Sequence, residues 1–232
     1  MRLARVLDLA SKLRRRPLLV NVRRLLQRIP LQPLDINCLY FLEHSGVPTQ
    51  RPHVCRGRAE IRSAGQEDLE GMATCQNTPR AFMNRFGSND YCVVALVDGR
   101  IVGYEWFSVK PLCVEERYSY AITVPSDAIY AYDAFIVPEY RLGGIWLKFN
   151  SVYVRELMCR LSRKKIITTI DYGNRVSMNT HLRFGFKIRR VVFIIKVLGK
   201  SFFLTRTLRG NKTTLPRWAS IADKPGTRLA LQ

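Results

Sequence analysis

Acidic side chains are scarce. Only 18 Asp and Glu stand against 38 Lys and Arg, a formal net charge of +20. A field of that sign draws polyanions, whether nucleic acid, anionic lipid or the phosphates of a cofactor, and does not choose among them. Histidine is scarcer still, with three residues and no cluster. The six cysteines, Cys38, Cys55, Cys75, Cys92, Cys113 and Cys159, include no CxxC pair. A zinc site and a dense disulfide framework are excluded, no metal is expected, and reduced thiols in a cytoplasm are the plain reading. No run of about 18 uncharged apolar residues exists, so no spanning helix is expected. No uninterrupted apolar stretch precedes a small-residue cleavage site, so the start does not read as a secretory leader.

What is present suffices for a core. Hydrophobic residues make up 47% of the 232 and aromatics 10%, which excludes disorder throughout and suits one substantial domain with an appendage. Residues 1–33 form the appendage. Arg2, Arg5, Lys12, Arg14, Arg15, Arg16, Arg23, Arg24 and Arg28 oppose a single acid, Asp8. Leu3, Val6, Leu7, Ala10 and Leu13, then Leu18, Val22, Leu25, Leu26 and Ile29, fall at helical spacing. Two basic amphipathic helices follow, with Pro17 at the start of the second. They pack on the body of the protein, lie, through residues 1–29, on an anionic membrane surface at the inner face of the membrane, or serve as a targeting or nucleic-acid arm.

Residues 34–57 read as a lead-in: a strand, Asp35–Glu43, and a turn-rich loop. Residues 58–208 are regular. Ala59–Arg62 is a short strand, and Gln66-Glu67-Asp68 opens a helix through Leu69 and Met72. Tyr91–Val97 and Ile101–Ser108 form a hairpin on Asp98-Gly99. A strand over Ile129–Val137 leads to a helix over Gly144–Ser162. A strand over Lys165–Ile170, a helix over Val176–Phe184 and a strand pair, Arg189–Val197 and Phe202–Thr207, complete the domain. Residues 209–232 read as a loosely ordered tail, and no internal repeat is found.

The chemistry is concentrated between Tyr130 and Phe149. A strand ends in Val137-Pro138, and Glu139-Tyr140-Arg141-Leu142-Gly143-Gly144 leads into a helix. Glycines let backbone N–H groups approach a phosphate, the helix start adds a favourable dipole, and Arg141 supplies a permanent forked charge. No GK[ST] follows and the three-glycine dinucleotide spacing is missing, so neither of those phosphate sites applies.

This segment resembles the acyl-CoA-binding motif of the GNAT superfamily, a strand ending in Val-Pro-x-Tyr-Arg and a loop of the form [QR]-x-x-G-x-[GA]. Arg141 and Gly144 fill the first and fourth loop positions. Trp146 stands at the sixth, where the family has Gly or Ala, and its indole either crowds the cofactor or points into the core. Downstream, Asn174-Arg175-Val176-Ser177 and His181-Leu182-Arg183-Phe184-Gly185-Phe186 resemble the family element N-x-x-[AS]…Y-x-x-x-G-F, with His181 in place of the tyrosine.

The resemblance implies an α+β fold with a mixed, mostly antiparallel central sheet flanked by helices. It also implies transfer of an acyl group, acetyl first of all, from acetyl-CoA or a longer acyl-CoA to a primary amine in a ternary complex. The thioester would lie between parted strands, Ile129–Val137 and Lys165–Ile170, with an amide near Phe135–Ile136 holding the oxyanion. Val137, Gly143, Gly144 and Ile145 would offer N–H groups to pantetheine or pyrophosphate, and Asn174 would contact pantetheine. His181 would protonate the departing thiolate. Asp133, or else Glu105, would take the amine's proton through water. A long-chain variant fed by an acyl carrier protein, and a non-catalytic module binding membrane or nucleic acid, are the alternatives. Arg183, Lys187, Arg189 and Arg190 beside Phe184 and Phe186 suit the last, but no nucleic-acid-binding motif accompanies them.

Overall fold

Asp98 and Gly99 both take left-handed backbone, φ 49° and 75°. That is the type I′ turn whose twist matches the strands it joins, and it locks β3 (Tyr91–Val97) to β4 (Arg100–Ser108). The computed structural model describes residues 22, 25–26, 34–48 and 59–208. The helices expected over 1–29, apart from three helical residues, most of the loop before residue 58, and the tail over 209–232 lie outside the described residues.

The chain divides into two compact units, one of Glu43–Thr169 and one of residues 1–42 with 170–232. In the first of these, β2 (Glu60–Ser63), β3, β4, β7 (Ala128–Ile136) and β8 (Lys165–Asp171, which ends in the other unit) stand in the order β8-β7-β4-β3-β2. All neighbours are antiparallel except β7 and β8. A separate hairpin joins β5 (Leu112–Glu115) to β6 (Tyr120–Thr123). Along β4, side chains alternate between faces. Tyr104 and Trp106 join Met72, Phe82, Cys92 and Val94 in a fully buried cluster under α1 (Leu69–Cys75) and α2 (Pro79–Gly87). Glu105 and Phe107 turn to the other face, meeting Trp146 and Tyr153.

That second face is covered by a helix with a wide turn in its middle: α3 (Ile145–Lys148), a π-helical segment (Phe149–Val154) and α4 (Arg155–Arg160). The buried Asn150 donates its side-chain amide to the Trp146 carbonyl at 3.1 Å, beside the Phe149 N–H that the same carbonyl accepts.

The other unit holds α5 (Arg175–Phe184), most of β1 (Leu34–Ser45), β9 (Lys187–Val197) and β10 (Lys200–Thr207), in the order β10-β9-β1. β1 thus shares a sheet with the two closing strands of the chain. Cys38–Leu42 are all buried, an apolar run that only a strand covered on both faces accommodates. The Asn37 amide donates to the Asp171 carboxylate at 3.1 Å, and Tyr40 stacks on Tyr172.

Candidate active site

The backbone of β7 carries the distinctive geometry. Its ladder with β4 runs Gly103↔Ile136 and Tyr104↔Phe135, then resumes at Trp106↔Tyr132. Asp133 and Ala134 thus stand opposite Glu105 alone, and Asp133 has φ 46°. This is a β-bulge, which bends a strand and ends its pairing. On the far side, the parallel ladder with β8 stops at Ala131↔Thr168, while β7 runs on to Ile136. The edge of β7 past the bulge has no ladder partner among the described residues.

The Val137 N–H donates to the Val102 carbonyl at 2.9 Å. Backbone groups alternate sides along a strand, so the Phe135 N–H also faces β4, whereas the N–H and C=O of Ile136 face the opened edge. Arg141 confirms the direction: its Nε donates to the Ile136 carbonyl at 2.9 Å. Of the amides expected near the thioester, Ile136 is available, and those of Phe135 and Val137 are turned toward β4. Gly103 makes the close approach of β4 feasible, since a Cβ there would lie 2.9 Å from the Phe135 carbonyl oxygen.

The loop that follows is one 3₁₀ stretch, Pro138–Gly143, closed by Gly144 with φ 74°. A side chain at Gly144 would strain that left-handed backbone. A Cβ at Gly143 would point into open space. Arg141 is exposed, its guanidinium 5.8 Å from the centre of the Phe135 ring. Ile145 is buried and begins the helix. Trp146 settles between its two readings: it is 8% exposed and donates its indole N–H to Glu105 Oε1 at 3.3 Å. It packs into the core beneath the loop.

Glu105 is enclosed, and its Oε2 has no hydrogen-bond partner. Burial pushes its carboxyl up from 4.5 to about 8, against a smaller downward pull from the Trp146 N–H. Asp133 lies on the opposite face of the sheet. It is ion-paired with Arg85, whose guanidinium also sits over the rings of Tyr132, Trp106 and Phe82. Arg85 holds one of its two carboxylate oxygens, Oδ2, which ties the preferred base to α2. The structure does not bring the two carboxylates together.

Arg85 was not legible as a partner because α2 itself was not expected. Its signal was Thr78-Pro79, an N-cap residue and a proline in the first turn.

Asn174 and His181 belong to the other unit. Asn174 is the N-cap of α5, its Oδ1 accepting the Ser177 N–H at 3.1 Å. His181 is buried, with Nδ1–H donated to the Ser177 carbonyl at 2.7 Å and its ring edge-to-face with Phe186. Desolvation pulls its pKa down to about 4, against the Ser177 bond that raises it. At neutral pH the imidazole is therefore uncharged and its N–H is held by the Ser177 carbonyl, so the geometry lends the acid role of His181 no support.

No protein-family model matches the chain, and no curated protein matches its sequence. Solved structures do resemble it. A functionally unknown conserved protein from Staphylococcus epidermidis is 13% identical, with a TM-score of 0.50 over 74% of this chain and 66% of that one. A protein from Novosphingobium aromaticivorans assigned to the GNAT family of acetyltransferases is 14% identical, with a TM-score of 0.48 over 69% and 65%. An aminoglycoside N-acetyltransferase in complex with CoA is 15% identical, with a TM-score of 0.44 over 54% and 90%. The chain spans just under two thirds of the length of the first two. Such likeness shows the fold alone. The fold shared with the first of them is an α+β arrangement whose mostly antiparallel sheet is flanked by helices.

Proposed function

We propose that the protein is an N-acyltransferase that moves an acyl group, acetyl first of all, from acyl-CoA to a primary amine. The observation that carries the reading is the opened edge of β7. It offers the Ile136 N–H just before a glycine loop and a helix start.

In this reading the thioester carbonyl lies against the Ile136 N–H. The amine attacks the carbonyl carbon, and the oxyanion forms on that donor. Collapse forms the C–N bond and breaks the C–S bond, and the thiolate takes its proton from solvent. Glu105, whose Oε2 is uncommitted, accepts the amine's proton through water once it is ionised, which burial defers to about pH 8. Arg141 stands at the same edge with terminal nitrogens left for phosphate, and Gly143 leaves room for phosphate oxygens beside it.

Nothing favours the carrier-protein variant. Trp146 is in the core, and residues 1–29, three helical residues apart, lie outside the described structure. The test is a thermal-shift series with acetyl-CoA, long-chain acyl-CoA and free phosphate, on the wild type and on Arg141→Ala. Stabilisation by a thioester and loss of about 1–3 kcal/mol of binding in the variant are expected. No shift with any thioester, beside salt-sensitive oligonucleotide binding, contradicts the enzyme.

A further inference from the structure

The closing hairpin takes no part in that site, and its surface is unusual. β9 and β10 pair Lys200↔Val197, Phe202↔Ile195 and Leu204↔Phe193. Alternation therefore puts Ile195 and Val197 on one face with Lys200, Phe202, Leu204 and Arg206. On it Ile195 is 40% exposed, Val197 38%, Phe202 57% and Leu204 68%. At the tip Leu198 is 80% exposed and held at φ 45°, next to Gly199 at 84°. Hairpin tips usually give such positions to Asn, Asp or Gly, so an apolar side chain is displayed there at some conformational cost.

Every charged residue of β9 and β10 is a cation. Lys200 beside the tip and Arg206 at the far end share this face, Lys196 stands next to it on the other, and no Asp or Glu occurs anywhere in residues 172–222.

Three occupants compete for an apolar strip with cationic ends. A second copy would pair on β10, the edge strand of its sheet. Antiparallel self-pairing centred on Phe203 would set Lys200 opposite Arg206 of the other copy, a repulsive match. Nucleic acid would be served by the cations and by Phe202, but Leu198, Leu204, Ile195 and Val197, the greater part of the exposed apolar surface, offer it neither stacking nor hydrogen bonds. An anionic bilayer uses both features at once. Apolar side chains enter the boundary of the acyl chains, while lysine and arginine reach the headgroup phosphates.

We propose that the β9–β10 hairpin docks the protein on an anionic bilayer surface, with Leu198, Phe202 and Leu204 entering it and Lys196, Lys200 and Arg206 on the phosphates. This inference stands apart from the acyl-transfer reading.

The test is co-sedimentation of the full chain with vesicles of phosphatidylcholine alone, or with about a quarter phosphatidylglycerol. The wild type should bind only the anionic vesicles, and less as salt rises. Phe202→Ser with Leu204→Ser should lower the partition coefficient about tenfold or more at unchanged melting temperature. Leu198→Asp, a change confined to the exposed tip, should weaken it in the same direction and keeps the test valid if the double variant misfolds. Anionic vesicles bound equally by wild type and variants, or not bound by the wild type, overturn the proposal. So does a wild-type dimer that the double variant converts to monomer, or an oligonucleotide that the wild type binds and the variant releases.

Discussion

Replacing Glu105 by Gln should stabilise the protein, by an amount that grows with pH. The structure encloses the carboxyl and gives it one hydrogen bond, from Trp146. Burial, the largest influence, raises it from 4.5 to about 8. The folded state thus keeps this proton over a range where the unfolded chain has lost it. Its contribution to stability is fully present below about pH 4.5 and is lost as pH rises to about 8, at about 1.4 kcal/mol per pH unit.

Glutamine keeps the shape and an oxygen for the Trp146 N–H, and has no charge to lose. The gain of Glu105→Gln over the wild type should be small near pH 4.5 and rise from there. Between about pH 5.5 and 7.5 it should increase by about 2–3 kcal/mol. Urea unfolding followed by tryptophan fluorescence at the two pH values measures it. A gain that is the same at both, within about 0.5 kcal/mol, would refute the buried neutral carboxyl. So would a loss of stability in the variant.

Three further outcomes follow from the same geometry. Arg85→Ala, which leaves Asp133 unpaired and empties the space over three rings, should cost about 2–4 kcal/mol in urea unfolding; a change below about 0.5 kcal/mol would contradict the clamp. His181→Asn, whose amide can still reach the Ser177 carbonyl, should leave the rate of thiol release within about threefold, and a hundredfold loss in a folded variant would restore His181 to the chemistry. Gly103→Ala should push the Phe135 carbonyl aside, cost about 1–3 kcal/mol, and weaken acetyl-CoA binding through the displaced Ile136, as calorimetry would show.

Much of the fold was legible because its signals are local. Asp98-Gly99 announced one hairpin, Gly199 another, and the run Tyr130–Ile136 the strand that carries the site. α2 escaped because its apolar content is thin, with Phe82 its one buried residue, and its start rests on Thr78-Pro79 alone. β1 looked like a lead-in because nothing local says that a strand at the beginning of a chain will pair inside a sheet closed by strands more than a hundred residues later. The site was half legible. Residue types suggested Asp133 and His181, yet what decides their roles is non-local: Arg85 reaches across from α2, and His181 is desolvated against Phe186. The resolution of Trp146 likewise depended on Glu105, forty-one residues away, being there to receive its indole N–H.

The central claim is acyl transfer from a thioester at the opened edge of β7. Its most direct test combines acetyl-CoA with a panel of primary amines, following free thiol by colour and product by mass spectrometry, for the wild type and Arg141→Ala. The account predicts thiol release that depends on an amine, a product heavier by one acetyl group, and a raised KM for acetyl-CoA in the variant. Thiol release that no amine accelerates, with no acylated product from any donor, would contradict it.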